Sequence, residues 1–402
     1  MTDDELHEYA QLILDVGLGF RAGKDLAINA HLEHAPLARA VCEAAYARGA
    51  EYVDIWYWDP HGKASRLRHA PTETLARVPS WLDHRYNELG ERQGALVNIV
   101  GDPDPDLLAG IDPARAGLDR MPGLASRYRV QTHAMVEWAI ACYPTPTWAE
   151  RVLGVPDADA LWGQLRTLLR LDAEDPVSAW RERMAELDTR CARLNDERFD
   201  ALRLTGPGTD LFVGLGARHR WGTAEIVSRS GISHIAALPT EEIFTTPDPE
   251  RTAGTVRASM PLSLGGTIIR DLELRWVDGR IVEVSASTGA DVVRANIAID
   301  DGANRLGELA LVDESSRIQQ SGLLYYDTLL DESAASHLAW GSSIPDGILD
   351  YDPTRPETGE GLPLNHSGTH VDFMFGGASV DVTGIRTDGT EVPVMAGHRW
   401  LL

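Results

Sequence analysis

The chain has few cysteines and comparatively little basic charge. Cys42, Cys142 and Cys191 lie far apart and form no metal-binding spacing. An odd, sparse set of cysteines favours reduced thiols over a disulfide framework, so we expect a cytoplasmic protein. Only 37 lysine and arginine residues stand against 61 acidic ones, which gives a formal net charge of −24 over 402 residues. This charge argues against nucleic acid and against an anionic membrane surface as partners.

Three further absences narrow the class of protein. The acidic start at residues 1–5 (MTDDE) lacks the basic and apolar regions of a secretory signal. No apolar run approaches the roughly 20 residues that a membrane-spanning helix needs. No glycine-rich phosphate loop follows a predicted strand, so a nucleotide-binding motif finds no support. We therefore expect a soluble globular protein, in which 43% hydrophobic residues supply the core.

The hydrophobic pattern changes character near residue 190. In the first half, strand-like segments at 24–30 and 51–58 flank a predicted helix at 35–47, which indicates a βαβ unit and a parallel sheet. In the second half, strand signals dominate, and Asp278-Gly279 and Asp388-Gly389 each predict a hairpin. We predict an α/β domain with a parallel sheet over residues 1–190 and an α+β domain rich in antiparallel β over residues 191–402.

Acidic and histidine residues stand inside apolar segments at five places in the second half. These are the pair Glu241-Glu242, Glu308, His337, His370 and Asp372. Each is weak evidence alone, because buried histidines usually have hydrogen-bond partners and paired glutamates usually lie on the surface. Residues two apart on a strand share a face, so His370 and Asp372 would reach one point together. Jointly they form a histidine and carboxylate set without cysteine, which suits zinc, cobalt, manganese or magnesium.

The size of this set favours two metal ions over one. Five ligands with three carboxylates exceed what a single catalytic zinc ion uses, whereas two ions roughly 3.5–4 Å apart and bridged by a carboxylate accommodate them. Such a pair activates water for hydrolysis, and a nearby carboxylate must move the proton. In the adjacent pair Glu241-Glu242, one side chain can bind metal while the other acts as a base.

Several segments resemble the thermophilic aminopeptidases, the family of aminopeptidase T, aminopeptidase S and aminopeptidase II. The most specific are 239–256 (PTEEIFTTPDPERTAGTV), 306–312 (LGELALV), 333–341 (SAASHLAWG) and 366–377 (HSGTHVDFMFGG), and similar segments elsewhere extend the resemblance over nearly the whole chain. The resemblance implies a homodimeric metallo-aminopeptidase with two divalent ions that removes N-terminal residues from short peptides. It also implies that the second domain is catalytic.

The resemblance extends to individual site residues. It implies that the metal ligands are Glu242, Glu308, His337, His370 and Asp372. Glu242 is preferred over Glu241 because the family's spacing to the second glutamate fits it better. Glu241 is then the general base, by analogy with other dinuclear aminopeptidases that carry adjacent glutamates.

One position departs from the family pattern. The family has a tyrosine seven residues after the histidine that matches His337, and this chain has Ile344 there. Losing a donor that stabilises the oxyanion costs roughly 10²–10³ in rate. The departure leaves three alternatives for a chain of this family: a slower enzyme that recruits another group such as Tyr351, a metal-binding protein with impaired peptidase activity, or a dinuclear amidase that acts on another amide.

Overall fold

The computed structural model describes residues 1–108, 110–119, 121–122 and 124–402. The strands of this part of the chain are, in order, β1 (Asp25–Ala30), β2 (Tyr52–Tyr57), β3 (Ala95–Val100), β4 (Glu137–Cys142), β5 (Ala201–Gly206), β6 (Thr209–Leu215), β7 (Glu225–Val227), β8 (Ser233–Ile235), β9 (Ala237–Leu238), β10 (Ile243–Thr245), β11 (Pro247–Arg257), β12 (Leu262–Leu264), β13 (Thr267–Ile269), β14 (Glu273–Val277), β15 (Arg280–Ser285), β16 (Leu306–Leu311), β17 (His337–Gly341), β18 (His370–Met374), β19 (Asp381–Ile385), β20 (Glu391–Ala396) and β21 (Arg399–Trp400).

The α-helices lie mostly in the first half. They are α1 (Asp3–Leu12), α2 (Ala35–Ala47), α3 (Pro60–His69), α4 (Ser80–Glu91), α5 (Pro113–Leu118), α6 (Ala125–Thr132), α7 (Pro146–Leu153), α8 (Ala158–Leu168), α9 (Pro176–Glu197), α10 (Ala290–Asn296), α11 (Arg317–Ser321) and α12 (Thr328–Asp331). Helix α1 begins with a capping box, in which Thr2 and Glu5 satisfy each other's backbone N–H groups, and acidic residues in its first turn suit the helix dipole. Among the described residues, no helix combines the length and the apolar character that crossing a membrane requires.

The chain forms two compact units. The first unit comprises Met1–Arg183 and Ala224–Pro239, and the second comprises Met184–Thr223 and Thr240–Leu402. In the first unit, five parallel strands form a sheet in the order β2-β1-β3-β4-β9. Helices α4 and α6 contribute Tyr86 and Val130 to a core cluster that also contains Leu96 of β3. The domain boundary proposed from the sequence at residue 190 stays a prediction.

The second unit is built from antiparallel strands. One sheet has the order β15-β14-β11-β6-β5-β19-β20-β21, another has the order β10-β16-β17-β18, and β12 pairs with β13. The predicted fold class, an α/β region with a parallel sheet followed by an α+β region rich in antiparallel β, is therefore confirmed.

The second unit agrees with the sequence pattern at one predicted element and departs from it at another. The predicted hairpin at Asp278-Gly279 joins β14 to β15, and both turn residues have the positive φ that this turn needs, 49° and 76°. The pattern of residues 267–277 predicts one strand, but the chain forms β13 and β14 with a break between them. Asp271 adopts φ of 50° in that break, a left-handed conformation outside the β region of a regular strand.

A buried ion pair joins the amino ends of strands in the first unit. Lys24, directly before β1, donates a hydrogen bond to Glu137 at the start of β4, and the Glu137 side chain is 1% exposed. The other Glu137 oxygen accepts a hydrogen bond from the hydroxyl of Ser228. Lys24 Nζ also donates to the carbonyl oxygen of Gln93 at 2.9 Å. The carboxylate is thus buried with its charge and both of its oxygens compensated, as burial requires.

We expect Lys24→Met to destabilise the protein by about 3–5 kcal/mol, because it leaves the Glu137 charge buried without its cation. The free energy of unfolding, measured with urea and tryptophan fluorescence, tests this. The double variant Lys24→Met with Glu137→Gln should recover part of the loss. A single variant within about 0.5 kcal/mol of the wild type would show that the pair contributes nothing.

Candidate metal centre

Three neighbouring strands of the second unit present four predicted ligands on one face. The register sets Glu308 of β16 opposite Ala339 of β17, and Ala339 opposite Asp372 of β18. Directly paired residues of an antiparallel sheet point to the same face, and so do residues two apart on a strand. His337 therefore shares the face of Ala339, and His370 shares the face of Asp372.

The opposite face of these strands packs into the core. Leu338, Trp340 and Phe373 are fully buried there, and the rings of Trp340 and Phe373 have centroids 5.5 Å apart. This packing holds the strands, and with them the side chains on the other face, in position. Ala339 is small, so its methyl group leaves space between Glu308 and Asp372.

The fifth predicted ligand comes from the segment that leads into β10. Pairing of Ile243 with Leu311 sets β10 beside β16, and Glu242 directly precedes Ile243. His337 Nε2 lies 3.6 Å from Glu242 Oε2 and 3.9 Å from Glu308 Oε1. Glu242, Glu308 and His337 thus form one triad, with ligand atoms within 4.8 Å of one another and all three residues buried.

Glu308 also belongs to a second triad. Its Oε2 lies 3.1 Å from His370 Nε2, which in turn lies 3.3 Å from Asp372 Oδ1. The ligand atoms of Glu308, His370 and Asp372 again lie within 4.8 Å of one another. One oxygen of Glu308 therefore faces His337 and the other faces His370, the arrangement that a bridging carboxylate needs.

A backbone contact orients the imidazole of His370. Its Nδ1 lies 2.7 Å from the carbonyl oxygen of Ser342, which can only accept a hydrogen bond. Nδ1 therefore carries a hydrogen, and Nε2 is directed at the carboxylates. A carbonyl behind a histidine fixes the ring and its tautomer for metal binding in the same way.

The buried oxygens of the two triads fit divalent cations. Glu242 Oε2 is buried and has no hydrogen-bond partner within the residues that the structure describes. Burying a carboxylate oxygen in this state is costly unless a cation compensates it. The donor set of imidazole nitrogens and carboxylate oxygens suits zinc, cobalt and manganese, and its carboxylates also suit magnesium.

Protons take the place of cations when no ion is bound. Burial lowers the pKa of His370, but the charges of Asp372 and Glu308 outweigh it and hold that pKa well above the usual value. For His337, burial is likewise outweighed by Glu242 and Glu308, so its pKa is raised. The neighbouring carboxylates thus favour the charged form of both imidazoles, and metal binding competes with protons for their nitrogens.

The pKa values of the two carboxyl groups Glu242 and Asp372 shift in opposite directions. Burial raises the pKa of Glu242 to about 7, with His337 opposing the shift and Glu308 adding to it. Asp372 behaves differently. Burial would raise its pKa, but the neighbouring His370 outweighs burial and lowers it. His370 therefore favours the ionised form of Asp372, whereas burial disfavours the ionised form of Glu242.

Sequence reasoning missed one carboxyl group of this region, Glu332, which directly follows α12. Burial raises its pKa well above the usual value, and the charges of Glu242 and Asp372 raise it further. Its carboxyl group therefore lies within electrostatic reach of both triads. Its sequence context, Asp331-Glu332-Ser333, is polar and gave no reason to separate it from an ordinary surface acid. The sequence feature that could have identified Glu332 as a site residue was its position five residues before His337.

Glu241, the predicted general base, lies outside both triads. The residue is 1% exposed, and its backbone N–H donates a hydrogen bond to Ser333 Oγ at 3.0 Å. Ile344 directly precedes a short 3₁₀ turn after β17, and its carbonyl oxygen accepts a hydrogen bond from the hydroxyl of Thr246. Burial, together with Asp346 and Asp352, raises the pKa of Tyr351 to about 12, so its phenol stays protonated at neutral pH.

A small pocket borders Asp372 within the second unit. Acidic side chains line part of it, namely Asp327, Asp331 and Asp372 itself, and Leu262 and Met374 supply apolar surface. Burial raises the pKa of Asp331 to about 7, and its carboxyl oxygens accept hydrogen bonds from backbone N–H groups. Asp331 therefore shapes this loop, whereas Asp327 and Asp372 make the pocket acidic.

Comparison with known proteins gives full-length matches. The chain is 38% identical to aminopeptidase T of Thermus thermophilus, over 99% of this chain and 98% of that protein. It is 35% identical to aminopeptidase 2 of Geobacillus stearothermophilus, over 99% of this chain and 98% of that protein. A solved structure of wild-type AmpT from Thermus thermophilus superposes with a TM-score of 0.88 at 34% identity and covers 100% of both chains.

The family model of the thermophilic metalloproteases (M29) matches residues 2–400. This match and the full-length relatives confirm the resemblance inferred from the sequence. The chain belongs to the thermophilic metalloprotease (M29) family.

Proposed function

We propose that this protein is a dinuclear metal-dependent aminopeptidase that hydrolyses the N-terminal peptide bond of short peptides. The observation that carries the proposal is the pair of triads that share Glu308, the first of them fully buried. Relatives named aminopeptidases support the reaction class. Action as a homodimer in the cytoplasm is part of the proposal and is supported by the resemblance and by the sparse cysteines.

The proposed ligand assignment follows the two triads. Glu242 and His337 would hold one ion, His370 and Asp372 would hold the other, and Glu308, which belongs to both triads, would serve both. Glu332 lies outside both triads and acts on them through its charge interactions with Glu242 and Asp372. When bound, two divalent ions supply the Lewis acidity that lowers the pKa of a water molecule and polarises the scissile carbonyl group.

The remaining roles fall to residues of the chain itself. Glu241 accepts a proton from the attacking water and delivers it to the leaving amine. This role requires a carboxylate that does not itself bind metal, and Glu241 is the neighbour of the proposed ligand Glu242. The acidic pocket beside Asp372 receives the free α-amino group of the substrate, with Asp327 providing complementary charge. This pocket is the feature that favours an aminopeptidase over an amidase that acts on uncharged amides.

The free amino group is the first test of the proposal. Cobalt- or zinc-loaded enzyme should hydrolyse leucine p-nitroanilide, and N-acetyl-leucine p-nitroanilide should react roughly 10²-fold more slowly or not at all, because the pocket is left without its charged partner. Release of nitroaniline gives both rates. Equal rates would favour the amidase, and no turnover by a protein that holds its metal would favour an impaired peptidase.

The division of roles between the adjacent glutamates is the second test. Glu241→Gln should lower kcat by about 10²–10⁴ and leave the metal content unchanged, because it removes only the proton acceptor. Glu308→Gln is the matched comparison and should lose metal as well as activity. Metal content is measured by atomic emission on the same samples. If Glu241→Gln loses metal, or keeps kcat within about threefold, the base lies elsewhere.

Ile344 is the observation that supports the impaired-peptidase alternative, and it can be tested directly. Ile344→Tyr should raise kcat by about 10²-fold if a phenolic donor is what this site lacks. Ile344→Phe is the control, since it adds the ring without the hydroxyl. Similar rates for the two variants would show that the site does not depend on that donor.

A further inference from the structure

The first unit contains a polar cluster of its own where β1 and β3 separate. These parallel neighbours pair only as far as Asn29 with Asn98. Beyond that point, β1 stays paired with β2 and β3 stays paired with β4 up to their last residues. In the order β2-β1-β3-β4, the direction of winding reverses between β1 and β3. Open α/β sheets bind ligands in the crevice at such a point, outside the carboxyl ends of the strands.

Five side chains meet there, and we call them the switch cluster: Asn29, Arg85, Tyr86, Asn98 and Arg127. The amide of Asn29 donates to Asn98 Oδ1 at 2.9 Å. Arg85 Nη1 and the Tyr86 hydroxyl both donate to Asn29 Oδ1, at 3.0 and 3.1 Å. Arg127 Nη1 donates to Asn98 Oδ1 at 3.4 Å. Each amide oxygen already accepts two hydrogen bonds, so the cluster has more donors than acceptors.

The surplus donors are charged and buried. Arg85 Nη2 and Arg127 Nε have no hydrogen-bond partner in the described part of the chain. Among the described residues, Asp54 is the only carboxylate that forms an ion pair with Arg85 or Arg127. The Asp54 side chain is 41% exposed. A buried donor without an acceptor costs free energy, and a charged one costs more. The cluster therefore lacks an anionic acceptor.

Aromatic rings hold the two guanidinium groups in place. Arg85 lies over the rings of Trp56 and Tyr86, with its Cζ 5.4 and 4.9 Å from their centroids. Arg127 lies 5.0 Å from the ring centroid of Tyr128. Burial raises the pKa of Tyr86 against the opposing charges of Arg85 and Arg127, so both guanidinium groups act on the same hydroxyl. Stacked guanidinium groups are preorganised for planar, charge-assisted binding.

We propose that the switch cluster binds an oxyanion, the phosphate or carboxylate group of a small molecule. Arg85 Nη2 and Arg127 Nε are the donors to that group, since neither atom has a hydrogen-bond partner among the described residues. An oxyanion supplies the missing acceptors and balances the second guanidinium charge. The proposal concerns the first unit and does not depend on the metal centre or on peptidase activity.

Titration calorimetry on the full chain tests the proposal, with inorganic phosphate and acetate as separate probes and ionic strength held constant with sodium chloride. Arg127→Gln should weaken binding of the tighter anion about ten- to a hundredfold, the range of a charged hydrogen bond. Arg129→Gln is the matched control, because Arg129 lies on the same helix and donates instead to Asn87 Oδ1 at 2.5 Å. The affinity of the Arg129→Gln variant for the same anion should stay within about twofold of that of the wild type.

The two probes identify the source of the oxyanion, and their failure overturns the proposal. Tighter phosphate binding assigns a phosphate group, and tighter acetate binding assigns a carboxylate. The proposal is wrong if neither probe binds wild type at up to about 10 mM. It is also wrong if Arg127→Gln and Arg129→Gln weaken binding equally, since that result indicates only diffuse surface charge.

A measurement on the unmodified protein covers the case in which Arg127→Gln fails to fold. Crystals grown with selenate, or with 4-bromobenzoate (whose aryl bromide does not alkylate thiols) if acetate is the tighter anion, locate the bound group by anomalous scattering. A peak within hydrogen-bond distance of Arg85 Nη2 and Arg127 Nε supports the site. Crystals that contain the probe but show no peak there contradict it.

Discussion

In the second unit, the negative charge buried on one face of a four-stranded sheet must be compensated, and this requirement governs the arrangement of the site. Glu308 and Asp372 stand on the same side of adjacent strands as His337 and His370, and the opposite side packs into the core around Trp340. Successive side chains of a strand point to opposite faces of the sheet, so the polar ligands lie on one face and the apolar core residues on the other. Charge compensation by protons in the metal-free state, and by divalent ions in the proposed active state, follows from that placement.

Much of this arrangement could be predicted from local pattern. The spacing of His370 and Asp372 predicted a shared strand face, and the motifs around Glu308 and His337 carried the family resemblance that the full-length relatives confirm. The sharing of Glu308 by two triads could not be predicted, because strand register is a long-range property. Glu332 was missed for a related reason, since tertiary packing brings it near the charges of Glu242 and Asp372 and its sequence neighbours are polar.

The fold shows the same division between local and long-range information. The parallel and antiparallel regions were predicted because hydrophobic period and turn residues are local signals. The break at Asp271 was not predicted, because one left-handed residue leaves the alternation of apolar residues on both sides intact. The switch cluster was also invisible in the sequence. Arg85 and Arg127 come from separate helices, and only strand order brings them to the same pair of asparagines.

The shared carboxylate has a thermodynamic consequence for metal uptake. On the proposed ligation, the two oxygens of Glu308 belong to different ions, so the binding of either ion sets the position and charge of a ligand for the other. The two sites then have a coupling free energy, and each ion changes the affinity for its neighbour by the same factor whichever binds first. Occupancy at limiting metal is therefore governed by this linkage, and the half-loaded protein is a distinct chemical species.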